Sequence, residues 1–171
     1  GMRSVENELL AELYRRYRRE LYLYLYSLCG SAPLAEDLLQ ETFLKALLSL
    51  SESHSNMRAW LYLVGRNLCF NYCRKEKLKV SLEALPEPSG GEPQAVLDRL
   101  LEDEKKRTLY QALGQLERKK REVLVLQYFG GLSQKEIAAI LQISPENVRV
   151  LACRARRELK IYLEVRGYDL S

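Results

Sequence analysis

The sequence predicts an all-α protein of two small helical domains joined by a flexible linker. Three observations lead there. Apolar residues recur at spacings of three and four through most of the chain, which is the helical period. One stretch, Leu82 to Pro93, holds three prolines and two glycines and interrupts that pattern. The 47% hydrophobic content supplies material for a core, and no alternating segment survives as a strand in its wider window.

The first helix is read from Leu10, Leu13, Tyr14, Tyr17, Leu21, Tyr24, Leu25 and Leu28, with Gly30 at its end. Residues 21–26 (LYLYLY) alternate and imitate a strand, but the flanking period overrides them. A second helix follows Pro33 and runs to about Leu50. A third starts at Asn56, a good N-cap, with Met57, Trp60, Leu61, Val64 and Leu68 on its inward stripe. Beyond the linker, helices are expected near 95–114, 116–129, 133–141 and 145–163. The domain division is therefore 2–80, a linker at 81–94, and 95–171.

Charge sharpens the division. Residues 1–80 carry twelve Lys/Arg against nine Asp/Glu, residues 81–104 one against seven, and residues 105–171 fourteen against seven. Basic ends around an acidic middle favour nucleic acid as a partner, through phosphate contacts and counterion release. The four cysteines (Cys29, Cys69, Cys73, Cys153) have neither disulfide-framework nor zinc-site spacing, so no metal and no cofactor are expected. No glycine loop for phosphates and no nucleophile with a histidine base is present, which argues against an enzyme and leaves no catalytic residue to name. No apolar run approaches the roughly 20 residues of a membrane span, and no signal-peptide pattern opens the chain. A cytoplasmic protein without membrane insertion is expected.

Ser133-Gln134-Lys135-Glu136 has the form of a capping box, and Ser144-Pro145 restarts the helix after a turn at Gln142-Ile143. Two helices joined so tightly form a helix-turn-helix. In the second, Val148, Leu151, Ala152, Ala155 and Leu159 face inward. Asn147, Arg149, Val150, Cys153, Arg154, Arg156, Arg157 and Lys160 remain for DNA. Arg149 and Arg154 suit guanine edges, Val150 and Cys153 a thymine methyl, and Arg156, Arg157 and Lys160 phosphates.

Ala35-Glu36-Asp37-Leu38-Leu39-Gln40-Glu41-Thr42-Phe43-Leu44-Lys45-Ala46-Leu47 resembles region 2.2 of the extracytoplasmic-function (ECF) sigma factors. Arg58-Ala59-Trp60-Leu61-Tyr62, Arg66-Asn67-Leu68 and Asn71-Tyr72 are similar to regions 2.3 and 2.4, and Arg121 to Lys160 to regions 4.1 and 4.2. The resemblance implies an initiation factor whose partners are RNA polymerase core, at the β′ clamp and β flap, promoter DNA, and an anti-sigma factor. It assigns Asp37, Gln40 and Glu41 to core docking, and Asn67, Phe70, Asn71, Arg74 and Lys75 to the minus-10 element. The helix from Pro145 takes the minus-35 element. Phe70 fits core packing as well as base stacking, and the polar loop from Ser51 to Asn56 is a second candidate lining for the base pocket.

The chain departs from the family pattern at Asn71, where many members have Asp. It departs again at Glu146-Asn147-Val148 and Val150-Leu151, in place of Gly-Thr-Val and a Ser-Arg pair. Its acidic linker is also short. Two other readings remain at this point. One is a helix-turn-helix regulator acting without core polymerase. The other is an interaction protein that has kept the fold without promoter melting.

Overall fold

A computed structural model describes residues 2–49, 56–80 and 100–168. The chain divides into two compact units, residues 1–91 and 92–171. The expected linker, the loop at Ser51–Ser55 with His54, and residues 95–99 lie outside the described residues. All regular structure among the described residues is helical.

The first unit holds α1 (Met2–Cys29), α2 (Ala32–Leu48) and α3 (Met57–Val80). Gly30, at φ 68°, ends α1 in the left-handed conformation that glycine adopts without strain. Ser31 then caps α2, its Oγ accepting from Leu34 N at 3.3 Å, and Pro33 sits inside the first turn rather than before it. Asn56 caps α3 as expected, with Oδ1 accepting from Ala59 N at 3.0 Å.

All six residues of LYLYLY are buried. The helix is covered on every side here, so alternation carries no strand information. Tyr24 stacks obliquely on Tyr62 with ring centroids 5.4 Å apart, and Tyr14 meets Phe43 edge-on at 5.0 Å. Glu20 Oε1 accepts from both Arg58 Nε (2.9 Å) and Tyr62 Oη (3.0 Å), which satisfies a half-buried carboxylate. Burial, and then Glu20, push the Tyr62 hydroxyl pKa far above its usual value. Contacts climb both helices together, from Tyr17 and Glu20 with Arg58 to Leu25 with Gly65. Hence α1 and α3 run parallel.

The inward face of α3 differs from the expected one. Leu61, Tyr62, Gly65 and Cys69 are buried, whereas Met57, Trp60, Val64 and Leu68 are only half-buried. Gly65 turns the helix. An ideal Cβ there lies 3.3 Å from Leu25 Cδ2 and 3.3 Å from Thr42 Oγ1. Without a side chain, Gly65 lets α3 seat at the junction of all three helices.

The second unit holds α4 (Glu104–Leu113), α5 (Arg118–Tyr128), α6 (Gln134–Leu141) and α7 (Pro145–Val165). The continuous helix expected near 95–114 is broken at residues 101–103. Asp103 caps a new start, accepting from Lys105 N at 2.9 Å, and Arg107 Nη1 reaches back to Leu101 O at 2.5 Å. Leu113, Val123, Leu124, Leu126, Ile137 and Ala155 are among the buried residues of this unit.

Candidate nucleic-acid interface

Local chemistry sets the geometry of α6 and α7. The capping box is complete: Ser133 Oγ accepts from Glu136 N at 3.1 Å, and Glu136 Oε1 accepts from Ser133 N at 2.9 Å. Gln142 ends α6 in the left-handed region at φ 57°, unusual for a non-glycine residue, and Ile143 N donates to Ala138 O at 3.1 Å. Ser144 caps α7, its Oγ accepting from Asn147 N at 3.1 Å, with Pro145 in the first turn. Gln134 Nε2 donates to Pro145 O at 2.8 Å, tying the two helix starts together. Lys120 Nζ meets Glu158 Oε1 at 2.5 Å and ties α7 to α5.

The apolar side of α7 is buried at Val148, Ala152, Ala155 and Leu159, and half-buried at Leu151. Asn147, Arg149, Cys153, Arg154, Arg156, Arg157 and Lys160 are exposed; Val150 is only half-buried, so less of it is open to a thymine methyl than expected. The arginines divide by environment. Arg154 and Arg157 form no ion pair among the described residues, and their positions opposite Val148 and Leu159 place them outermost. Arg156 stands on the flank, lining a cleft of about 130 Å³ with Gln127, Gln134, Ile137 and Arg149. Arg149 is bonded to Glu146 along its own helix, Nε to Oε2 at 3.2 Å and Nη2 to Oε1. The guanidinium holds the Glu146 carboxyl below the usual range, and Glu146 raises Arg149 in turn. Lys160 lies 4.0 Å from Glu164.

In the first unit, Asn67, Asn71, Arg74 and Lys75 are exposed along α3. Asn71 Oδ1 accepts from Arg74 Nη2, so these two candidates form one group. Phe70 is half-buried, and the Arg66 guanidinium lies over its ring at 4.5 Å. One ring face is thus covered by a cation, in keeping with the packing role. On α2, Asp37, Gln40 and Glu41 are exposed while Leu38, Leu39 and Phe43 are buried. Sequence reading missed that this row continues through Leu44 (57% exposed) and Leu48 (75%). The spacing 37, 41, 44, 48 was the available signal.

Among the described residues, no three histidine, cysteine or acidic side chains gather to hold a metal. No described helix is long and apolar enough to cross a membrane.

Residues 13–78 match the family model Sigma-70 region 2, and residues 106–159 match Sigma-70, region 4. The ECF RNA polymerase sigma factor SigM of Bacillus subtilis is 36% identical over 151 residues, spanning 87% of this chain and 91% of that protein. The chain belongs to the ECF sigma factors of the sigma-70 family. SigL of Mycobacterium tuberculosis is 31% identical over 176 residues, covering 98% of this sigma factor and 96% of its own length. Among solved structures, the sigma factor RpoE of Bartonella quintana, crystallised with the anti-sigma factor NepR, superposes with a TM-score of 0.70. That match has 26% identity and spans 92% of this chain and 98% of the other. CnrH, solved with the cytosolic domain of CnrY, gives a TM-score of 0.67 at 25% identity, over 93% and 90%.

Proposed function

We propose that this ECF sigma factor brings RNA polymerase core to promoters in the cytoplasm and opens them by binding alone, without catalytic chemistry of its own. Residues 2–80 dock on core and take the minus-10 element, residues 95–171 take the minus-35 element, and the acidic segment 81–94 links them. The observation that carries this reading is that one chain exposes an acidic row on α2, an asparagine–arginine row on α3 and a basic face on a capped helix-turn-helix. A regulator acting on DNA alone has no use for the first two. Complementarity assigns partners. Asp37, Gln40 and Glu41 meet basic side chains of the β′ clamp, the second unit reaches the β flap, and the arginines of α7 meet duplex DNA. An anti-sigma partner is supported by the structural neighbour RpoE, which was crystallised with the anti-sigma factor NepR.

The test is run-off transcription with purified core and this chain on a promoter library, compared with a variant carrying both Asp37→Lys and Glu41→Lys. The parent should give discrete starts, and the variant should compete for core roughly ten-fold less well at low salt. Equal competition would refute the docking assignment. Binding of specific DNA without core, and no transcript with it, would favour a free regulator.

A further inference from the structure

The first turn of α7 places an acid on a helix otherwise arranged to meet an acidic polymer. Glu146 is exposed, one residue after Pro145, and both its oxygens accept from Arg149. A helix N-terminus favours a carboxylate by about 0.3–1 kcal/mol, which explains an acid in this turn. It does not explain why the acid grips the residue three positions on. In a groove lined by phosphates a carboxylate also weakens binding to every sequence unless it finds a donor there.

The geometry of the grip defines what remains available. A guanidinium has five N–H groups in a rigid plane. Glu146 takes the side of that plane formed by Nε and Nη2. The end formed by Nη1 and Nη2 keeps two parallel N–H groups, the fork that matches O6 and N7 of guanine. Each Glu146 oxygen still has acceptor capacity. The donors on the floor of the major groove are the amino groups of cytosine and adenine. Adenine sets its N7 acceptor beside the amino group and repels a carboxylate, whereas cytosine does not. Three residues of helix rise about 4.5 Å, close to the roughly 3.4 Å step between base pairs.

We propose that Glu146 and Arg149 read the minus-35 duplex as one unit. Arg149 takes a guanine with its end fork. Glu146 holds that fork in position and accepts a hydrogen bond from the N4 amino group of a cytosine in a neighbouring base pair. This deepens the assignment of α7 to promoter reading and rests on it. Glu146 is thus a positioning residue for the guanine contact and a specificity residue for the cytosine.

The test uses holoenzyme assembled from core and the full chain, a promoter library randomised across the minus-35 element, and sequencing of the duplexes retained. The parent should retain guanine beside cytosine. Glu146→Gln should keep the guanine and move the neighbouring preference from cytosine to adenine, because an amide both donates and accepts and matches adenine N6 and N7. Glu146→Ala should lose the cytosine preference, weaken the guanine preference and raise affinity for random DNA. Arg149→Ala should lose the guanine. Each lost preference should be roughly 5- to 150-fold, the range of one base contact. If both Glu146 variants keep the parental preference at every position, or only raise affinity evenly, the carboxylate is a helix-terminal charge and the proposal falls. A parent that retains no preferred minus-35 sequence overturns the promoter-reading assignment itself. That outcome is distinguishable, because it precedes any comparison of variants.

Discussion

Replacing Gly65 by alanine sets two effects of known size against each other. In an open helix interior the change stabilises by about 0.5–1 kcal/mol, since the unfolded chain loses freedom and the helix gains a better former. Here the new methyl lands 3.3 Å from Thr42 Oγ1 and 3.3 Å from Leu25 Cδ2, with Leu21 Cδ1 at 3.5 Å. The neighbours have little slack. Leu21, Leu25 and Thr42 are fully buried, and Thr42 Oγ1 is held by its bond to Leu38 O at 2.7 Å. Overpacking of this kind costs about 1–3 kcal/mol. The net expectation is destabilisation by about 1 kcal/mol, a fall in Tm of roughly 4–8 °C for a domain of this size. Trp60, the only tryptophan of the chain, lies on α3 one turn before Gly65, so its fluorescence reports the first unit alone. Urea titration followed at Trp60 gives the stability of Gly65→Ala, Thr42→Ala and the double variant. Removing Oγ1 makes room for the methyl, so the double variant should be less damaged than the two losses added, by about 1 kcal/mol. A stabilised Gly65→Ala, or no coupling with Thr42, would refute close approach as the reason for this glycine.

Two further outcomes follow from the local geometry. Ser133→Ala removes the hydroxyl cap of α6 while keeping the backbone N–H that Glu136 accepts from, and should cost about 1 kcal/mol; the second unit's circular-dichroism melt should fall while the Trp60 transition stays in place. Asn67→Ala with Asn71→Ala should leave core binding and closed-complex formation intact but lower permanganate reactivity of minus-10 thymines roughly ten-fold, the scale of one lost base contact. Parental reactivity would make these asparagines ordinary surface residues.

What the sequence made legible was what is local. Caps at Ser133, Ser144 and Asn56 depend on a side chain reaching a backbone N–H two or three residues away, and each formed as expected. The acidic row of α2 likewise followed from period alone. What escaped depended on partners distant in sequence, or on residues with no hydropathy signal. Gly65 contributes nothing to an apolar stripe, yet it decides which side of α3 faces α1 and α2. Tyr62 is buried because Glu20, 42 residues earlier, accepts its hydroxyl. The break at 101–103 carries no glycine or proline; its signal was Asp103 standing where a helix can restart. Arg149 was assigned to DNA as if unengaged, although Glu146 at a spacing of three was in plain view.

The parallel arrangement of α1 and α3 has a mechanical corollary. Among the side chains described on α3, Cys69 is the last that is fully buried, Cys73 is half-buried beside Cys29 at the end of α1, and the helix continues to Val80. From Cys73 to Val80 that is a cantilever of roughly 10 Å. Arg74 and Lys75 are exposed on the overhang, and Asn67 and Asn71 are exposed at its root. On the proposed assignment, the minus-10 element engages these exposed side chains without loosening the packing behind them. Changes in what the tip recognises can therefore accumulate at little cost to folding.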